Sequence, residues 1–277
     1  GLALQKLQRF SEAETAYNQS LQKEGPNAQA YFNLGIVQQG MGQLDKAIAN
    51  YRRAIELAPD HALAHYNLGI ALNDSGHVNE AIVSFRTAHT LAPDDAKVLN
   101  NLGLALHNLQ HYVEAETVFL KAIAVKPDFA EGYSNLGNVL QQTGRGQEAM
   151  DAYEQALCHD PHFARAYYNQ GCLFLGRNDA IQAEEKYRRA IEVDPNLVEA
   201  HWNLSHALLL QGKMQEGFRE YRWRWRRKDA DVIVLPLPEW QGESRPDGTL
   251  LVFTEQGKGD TLQFLRYLPQ VKQRVEK

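Results

Sequence analysis

The sequence has few cysteines and no long apolar run, and each shortage excludes a class of protein. Cys158 and Cys172 are its only cysteines, too few for a disulfide framework or a cysteine-rich metal site. No apolar run approaches the roughly 20 residues that a membrane-spanning helix needs, and the first ten residues do not resemble a signal peptide. The net charge of −5 gives no basic field to attract nucleic acid or a membrane surface. We therefore expect a cytoplasmic protein with neither of these partners.

The sequence is instead rich in self-similarity. A five-residue string that begins as Tyr31-Phe32-Asn33-Leu34-Gly35 recurs every 34 residues. It returns at 65–69, 99–103, 133–137, 167–171 and 201–205. Six units therefore cover residues 28–231 without an insertion, and residues 1–27 are the tail of an earlier, partial unit.

Each unit predicts two helices that approach each other closely. Five units place Gly midway in the first helix, where Gly costs about 1 kcal/mol relative to Ala: Gly35, Gly69, Gly103, Gly137 and Gly171. The facing positions in the second helix are small as well: Ala47, Ala81, Ala115, Ala149 and Ala183. An aromatic residue follows one turn later, and a proline ends the second helix in five units.

This pattern identifies the chain as a member of the tetratricopeptide-repeat (TPR) family, which implies an all-α, right-handed superhelix. The sixth unit departs from the pattern at Ser205, Gly217, Arg224 and Asp229. A terminal repeat is expected to be atypical, because its outer face has no neighbour.

One polar position is the same in all six units. The residue before the conserved Leu is Asn: Asn33, Asn67, Asn101, Asn135, Asn169 and Asn203. An Asn amide has one acceptor and two donors, so it can pair with both groups of a peptide bond. The row resembles the asparagine ladder of the O-linked N-acetylglucosamine transferase superhelix, which implies an extended protein or peptide in a concave groove. The alternative is that these amides only join neighbouring helices.

Aromatic residues flank this row and are the expected anchors of a partner. They are Phe32, Tyr66, Tyr168 and Trp202. Without these anchors we expect an affinity on the order of micromolar, since each amide bond contributes only about 0.5–1.5 kcal/mol net.

Histidine pairs four residues apart could suggest a metal site. His61 with His65, and His107 with His111, have this spacing, but no cysteine or carboxylate cluster accompanies either pair. We therefore predict no metal and no cofactor in this chain.

The segment Arg219–Lys228 mixes basic and aromatic residues, as nucleic-acid-binding segments do. On a helix, however, Phe218, Tyr221 and Trp225 form one stripe. We therefore interpret the segment as an amphipathic closing helix.

The composition changes at Ala230. Pro236 and Pro238 predict an extended linker over residues 232–249, and the apolar run 250–253 predicts a short buried strand. A Gly-containing turn and a helix from Thr261 follow, so residues 250–277 are predicted to begin a truncated α/β domain.

Residues 238–242 and 254–269 are similar to the start of a bacterial catalytic domain fused behind TPR arrays, related to heptosyltransferases and other two-lobed glycosyltransferases. The resemblance implies Asp260 as a candidate general base and Glu255, Gly257 and Gly259 as shaping its loop. It also implies a sugar nucleotide as donor for a longer protein, whereas these 277 residues alone should not catalyse transfer. The alternative is a tail that packs on the last repeat.

Three functions stay open on this evidence. The TPR array either recruits a peptide acceptor for a transferase on the same polypeptide or is a freestanding scaffold without catalysis. Self-association through the truncated terminal repeat is the third.

Overall fold

The computed structural model describes residues 1–227, apart from the side chains of Gln5 and Lys6. This part contains fourteen α-helices, a short 3-10 helix at Arg222–Arg226, and no strand. Helices α1 (Leu2–Lys6) and α2 (Phe10–Glu24) belong to the partial unit.

Each of the six full units contributes two helices. The first helices are α3 (Ala28–Gly40), α5 (Ala62–Asp74), α7 (Ala96–Asn108), α9 (Ala130–Gln142), α11 (Ala164–Gly176) and α13 (Val198–Leu210). The second helices are α4 (Leu44–Leu57), α6 (Val78–Leu91), α8 (Tyr112–Val125), α10 (Gly146–His159), α12 (Ala180–Val193) and α14 (Met214–Tyr221). Every helix packs on its neighbours in sequence, so this part of the chain is the predicted α-solenoid. The predicted linker, the α/β segment, Asp260 and its loop lie outside the described residues.

Local signals set the ends of these helices. Asn27 caps α3 by accepting a hydrogen bond from the backbone N–H of Ala30 at 3.0 Å. The second helices α4, α6, α8, α10 and α12 end two residues before the repeated proline, as predicted. After the first helix the chain turns through a residue with positive φ. This residue is Gly in four units but Gln110 (61°) and Asn178 (60°) in the other two, and a side chain disfavours that conformation.

The mid-helix glycines let the two helices of one unit lie directly against each other. A Cβ added to any of the five would lie 2.5–2.6 Å from the aromatic ring of the facing second helix. The facing rings are Tyr51, Phe85, Phe119, Tyr153 and Tyr187, and all are at most 1% exposed. The predicted close approach is confirmed, because no side chain fits at these positions.

The sixth unit packs differently because its smallest residue has moved to the other helix. Ser205 replaces the first-helix Gly, and Gly217 replaces the second-helix Ala. A Cβ on Gly217 would lie 2.8 Å from the side chain of Leu209. Tyr221, the aromatic residue of this unit, is only half-buried, whereas the five equivalent rings are buried.

The predicted amphipathic helix through Trp225 is wrong. The α-helix ends at Tyr221, and a 3-10 helix follows. In it the Arg224 guanidinium lies 4.3 Å from the Tyr221 ring centroid and 4.0 Å from that of Trp225. The arginine therefore stacks with the aromatic residues that were expected to form a continuous stripe.

Candidate functional site

Neighbouring units are joined by different groups on two faces of the array. Each first helix contacts the next first helix, and from α5 to α13 each contact includes a hydrogen bond donated by an asparagine. The second helices are bridged instead by long side chains: Arg52–Glu80 at 2.7 Å, Arg86–Glu114 at 2.5 Å and Arg188–Glu216 at 2.5 Å. The first helices therefore lie closer together and form the inner side, which we call the first-helix wall (α3, α5, α7, α9, α11 and α13).

Asn101 and Asn135 lie on this wall and each bind the preceding unit once. Asn101 donates from Nδ2 to Tyr66 Oη at 2.7 Å, and Asn135 donates from Nδ2 to Asn100 Oδ1 at 2.8 Å. Since an amide has two N–H groups and one carbonyl oxygen, each keeps one donor and its acceptor.

Asn169 and Asn203 also bind the preceding unit, but each donates twice. The acceptors are Asn138 Oδ1 (2.8 Å) and Ser134 Oγ (3.3 Å) for Asn169, and Tyr168 Oη (3.2 Å) and Cys172 Sγ (3.5 Å) for Asn203. These two amides therefore keep only their carbonyl oxygens.

The first two asparagines differ again. Asn33 is buried, and its Oδ1 accepts a hydrogen bond from Gln29 Nε2 at 3.0 Å. Asn67 is half-buried and makes no side-chain hydrogen bond to another described residue. The six amides are thus not equivalent: Asn67, Asn101 and Asn135, in three consecutive units, keep both a donor and an acceptor.

The predicted aromatic anchors also divide. Phe32 is 7% exposed and packs on His61, with ring centroids 4.7 Å apart, so it belongs to the core. Tyr66 and Tyr168 are half-buried, and burial raises the pKa of both hydroxyls. The hydroxyls therefore stay protonated at neutral pH, beside Asn101 and Asn203. Trp202 is half-buried as well.

One polar row on the wall was missed from the sequence. Tyr51 Oη donates to Gln39 Oε1 at 2.8 Å, and Tyr153 Oη donates to Gln141 Oε1 at 3.0 Å. In the second and third units phenylalanine replaces this tyrosine, and the corresponding atoms, Asn73 Oδ1 and His107 Nε2, have no partner among the described residues. Burial also lowers the pKa of His107. The exchange of Tyr for Phe at a fixed repeat position was the signal for this difference.

The first of the two histidine pairs bonds to the backbone of the repeat array. His61 Nδ1 accepts from the backbone N–H of Ala64 at 3.3 Å, and His65 Nε2 lies 3.0 Å from the Pro59 carbonyl oxygen. In residues 1–227 no three His, Cys, Asp or Glu side chains group as metal ligands. Over the same range, every helix is too short or too polar to cross a bilayer.

Family models cover most of this repeat array. Tetratricopeptide repeat models match residues 1–39, 62–95, 96–129, 130–163 and 168–222, and a TPR repeat model matches 40–76. The chain belongs to the tetratricopeptide-repeat family. TPR arrays are protein-interaction modules, and this is the function that the match supports.

Solved structures show the same architecture. MamA is 27% identical, with 58% of this chain and 95% of MamA covered and a TM-score of 0.53. A tetratricopeptide repeat protein from Parabacteroides merdae ATCC 43184 has a TM-score of 0.70 at 17% identity, covering 80% of this chain and 88% of that one. YrrB, described as a TPR protein with an unusual peptide-binding site, is 24% identical, covering 67% and 95%, with a TM-score of 0.53.

The last two likenesses concern the fold alone. No curated protein sequence matches the chain. None of these similarities supports the predicted resemblance to glycosyltransferases.

Proposed function

We propose that the first-helix wall binds an extended segment of a partner protein, with Asn67, Asn101 and Asn135 pairing with its backbone. The observation that carries the proposal is that these three consecutive asparagines keep both a donor and an acceptor. Ile70 and Leu104, one helical turn beyond Asn67 and Asn101, are half-buried and offer apolar contact to the partner's side chains. The solved TPR structure described by its peptide-binding site gives this use of the fold a precedent.

The distance between neighbouring units determines which residues of the partner the asparagines contact. Packed helices lie about 8–10 Å apart, and an extended chain advances about 3.3 Å per residue. One amide therefore meets about every third residue of the partner, and it reads the backbone rather than the side chain. Specificity then has to come from positions beside the amides.

The test begins with a ligand selected from a random 15-residue peptide library on the full chain. Its affinity is then measured by calorimetry for the wild type and for Asn101→Ala/Asn135→Ala. Loss of two backbone-pairing amides should remove about 1–3 kcal/mol, which corresponds to a roughly 5- to 150-fold weaker Kd.

The chain offers a matched control for the two lost inter-unit bonds. Tyr66→Phe/Asn100→Ala removes the acceptors of those bonds but leaves both ladder amides in place. We expect the Kd of this control to lie within a factor of about two of the wild-type value, because the effects of separate substitutions usually add to within that margin. If both double variants weaken binding equally, the amides only join neighbouring units and the backbone-reading role is wrong.

The sequence resemblance over residues 238–269 supports a second proposal, that the array recruits a protein acceptor for a sugar transferase on the same polypeptide. Its candidate base is Asp260, with Glu255, Gly257 and Gly259 in the surrounding loop. A longer polypeptide that continues past Lys277 should hydrolyse or transfer a sugar nucleotide, and Asp260→Asn should abolish this. Absence of a second α/β lobe in that longer polypeptide would leave the freestanding scaffold as the function.

A further inference from the structure

The last aromatic residue of the first-helix wall is covered by an arginine. At the equivalent positions, the Tyr66 and Tyr168 hydroxyls accept hydrogen bonds from the asparagine of the next unit. At Trp202 the guanidinium of Arg227 lies over the ring instead, 5.3 Å from its centroid. A cation within about 6 Å of a Trp ring is attracted to its negative face.

Two other rings complete the surroundings of Trp202. The Tyr221 ring lies 4.9 Å from Trp202, tilted by 32°, and the His206 ring lies 4.6 Å away, edge-on at 83°. We call Trp202, His206 and Tyr221 the terminal aromatic cluster. Its Tyr221 ring is half-buried, whereas the equivalent rings of the other five units are buried.

The charges around the cluster are of both signs, so the aromatic faces have to supply the attraction for a cation. Glu199 lies one helical turn before Trp202 on α13, and its side chain is exposed. Burial, and secondly the charge of Arg227, lower the pKa of His206, so this ring is neutral at pH 7. Arg224, stacked on Tyr221, opposes a second cation and sets an upper limit on its affinity.

We propose that the terminal aromatic cluster is a subsite for a guanidinium-bearing side chain of the bound partner, and that Arg227 occupies it in the partner's absence. This rests on the proposed function, since it places an arginine of the partner at one end of the first-helix wall. It supplies the side-chain selectivity that backbone-reading amides lack. Arg227 then acts as an internal competitor.

The test uses a probe that does not depend on the asparagines. N-acetyl-arginine amide and its neutral analogue N-acetyl-citrulline amide are titrated into chain carrying ¹⁵N-labelled tryptophan, and the Trp202 indole signal is followed. Arg227→Gln should bind the arginine probe about two- to fivefold more tightly than the wild type, the range of an exposed cation–π contact. The citrulline probe should bind more weakly to both.

Two further variants keep the result decisive. Trp202→Leu should abolish the preference for arginine over citrulline, whereas Trp225→Leu, the matched control, should keep it. If far-UV circular dichroism shows that Trp202→Leu disturbs the terminal repeat, Glu199→Gln serves as the second test. This variant should weaken binding of the arginine probe only. Equal binding of both probes, or no gain from Arg227→Gln, would overturn the subsite. Neither result would touch the asparagine experiment, so the two proposals fail separately.

Discussion

Replacement of Gln170 by leucine should stabilise the fifth repeat. Gln170 is 3% exposed, and its Oε1 atom has no hydrogen-bond partner among the described residues. The other five full units have Leu at this position. A buried acceptor without a partner lowers the stability of the fold by about 1–3 kcal/mol. The change of side-chain shape in a packed core offsets up to about 1.5 kcal/mol of the gain from removing that acceptor. We expect Gln170→Leu to raise the free energy of unfolding by about 1–2 kcal/mol.

Urea denaturation followed by circular dichroism measures this change. With an m-value of about 3 kcal/mol per molar, the midpoint should rise by about 0.3–0.7 M. The reciprocal variant Leu136→Gln places the same amide in the fourth repeat and should lower the midpoint by at least as much. Because repeats unfold partly independently, hydrogen exchange should locate the gain in α11 and α12. An unchanged or lower midpoint for Gln170→Leu would refute the assignment of Oε1 as an unsatisfied atom.

Three other changes test the packing. Gln110→Gly relieves a side chain at φ 61° and should add about 1 kcal/mol to thermal stability, whereas an unaltered Tm would contradict the strain. Gly103→Ala puts a Cβ 2.6 Å from the Phe119 ring and should cost about 1–3 kcal/mol by chemical denaturation, despite the better helix propensity of Ala. Burial raises the pKa of Tyr51 and Tyr153, so the unfolded chain releases their protons first as pH passes about 10. Stability is therefore complete below that pH and falls above it, and Tyr51→Phe should reduce the slope of the urea midpoint between pH 9 and 11.

The architecture was predictable because the units repeat the same local sequence pattern. Gly in the first helix, Ala and an aromatic residue in the second, and a closing Pro specify one pairing of helices five times over, so a single ambiguous unit could not change the result. The end of the array was less predictable. The repeat pattern predicted neither the 3-10 helix after Tyr221 nor the stacking of Arg224 on Tyr221 and Trp225.

The site was only partly predictable for a related reason. The pattern placed the asparagines on the first helices, but it could not say which amide hydrogens were already in use. That depends on the neighbour one unit earlier, which is Tyr66 for Asn101 but Asn138 and Ser134 for Asn169. The Arg–Glu bridges of the second helices were detectable, since the two residue types recur 28 positions apart.

The first helices are joined by asparagine hydrogen bonds, and the second helices are joined by ion pairs between long side chains; this difference has a mechanical consequence. Exposed Arg–Glu pairs are weak and are screened by salt, whereas the asparagines of units three to six hold the preceding unit at hydrogen-bond distance. The array can therefore bend so that the distance between second helices changes while the distance between first helices stays constant. A ligand on that inner edge would keep its register while the curvature of the protein around it changes.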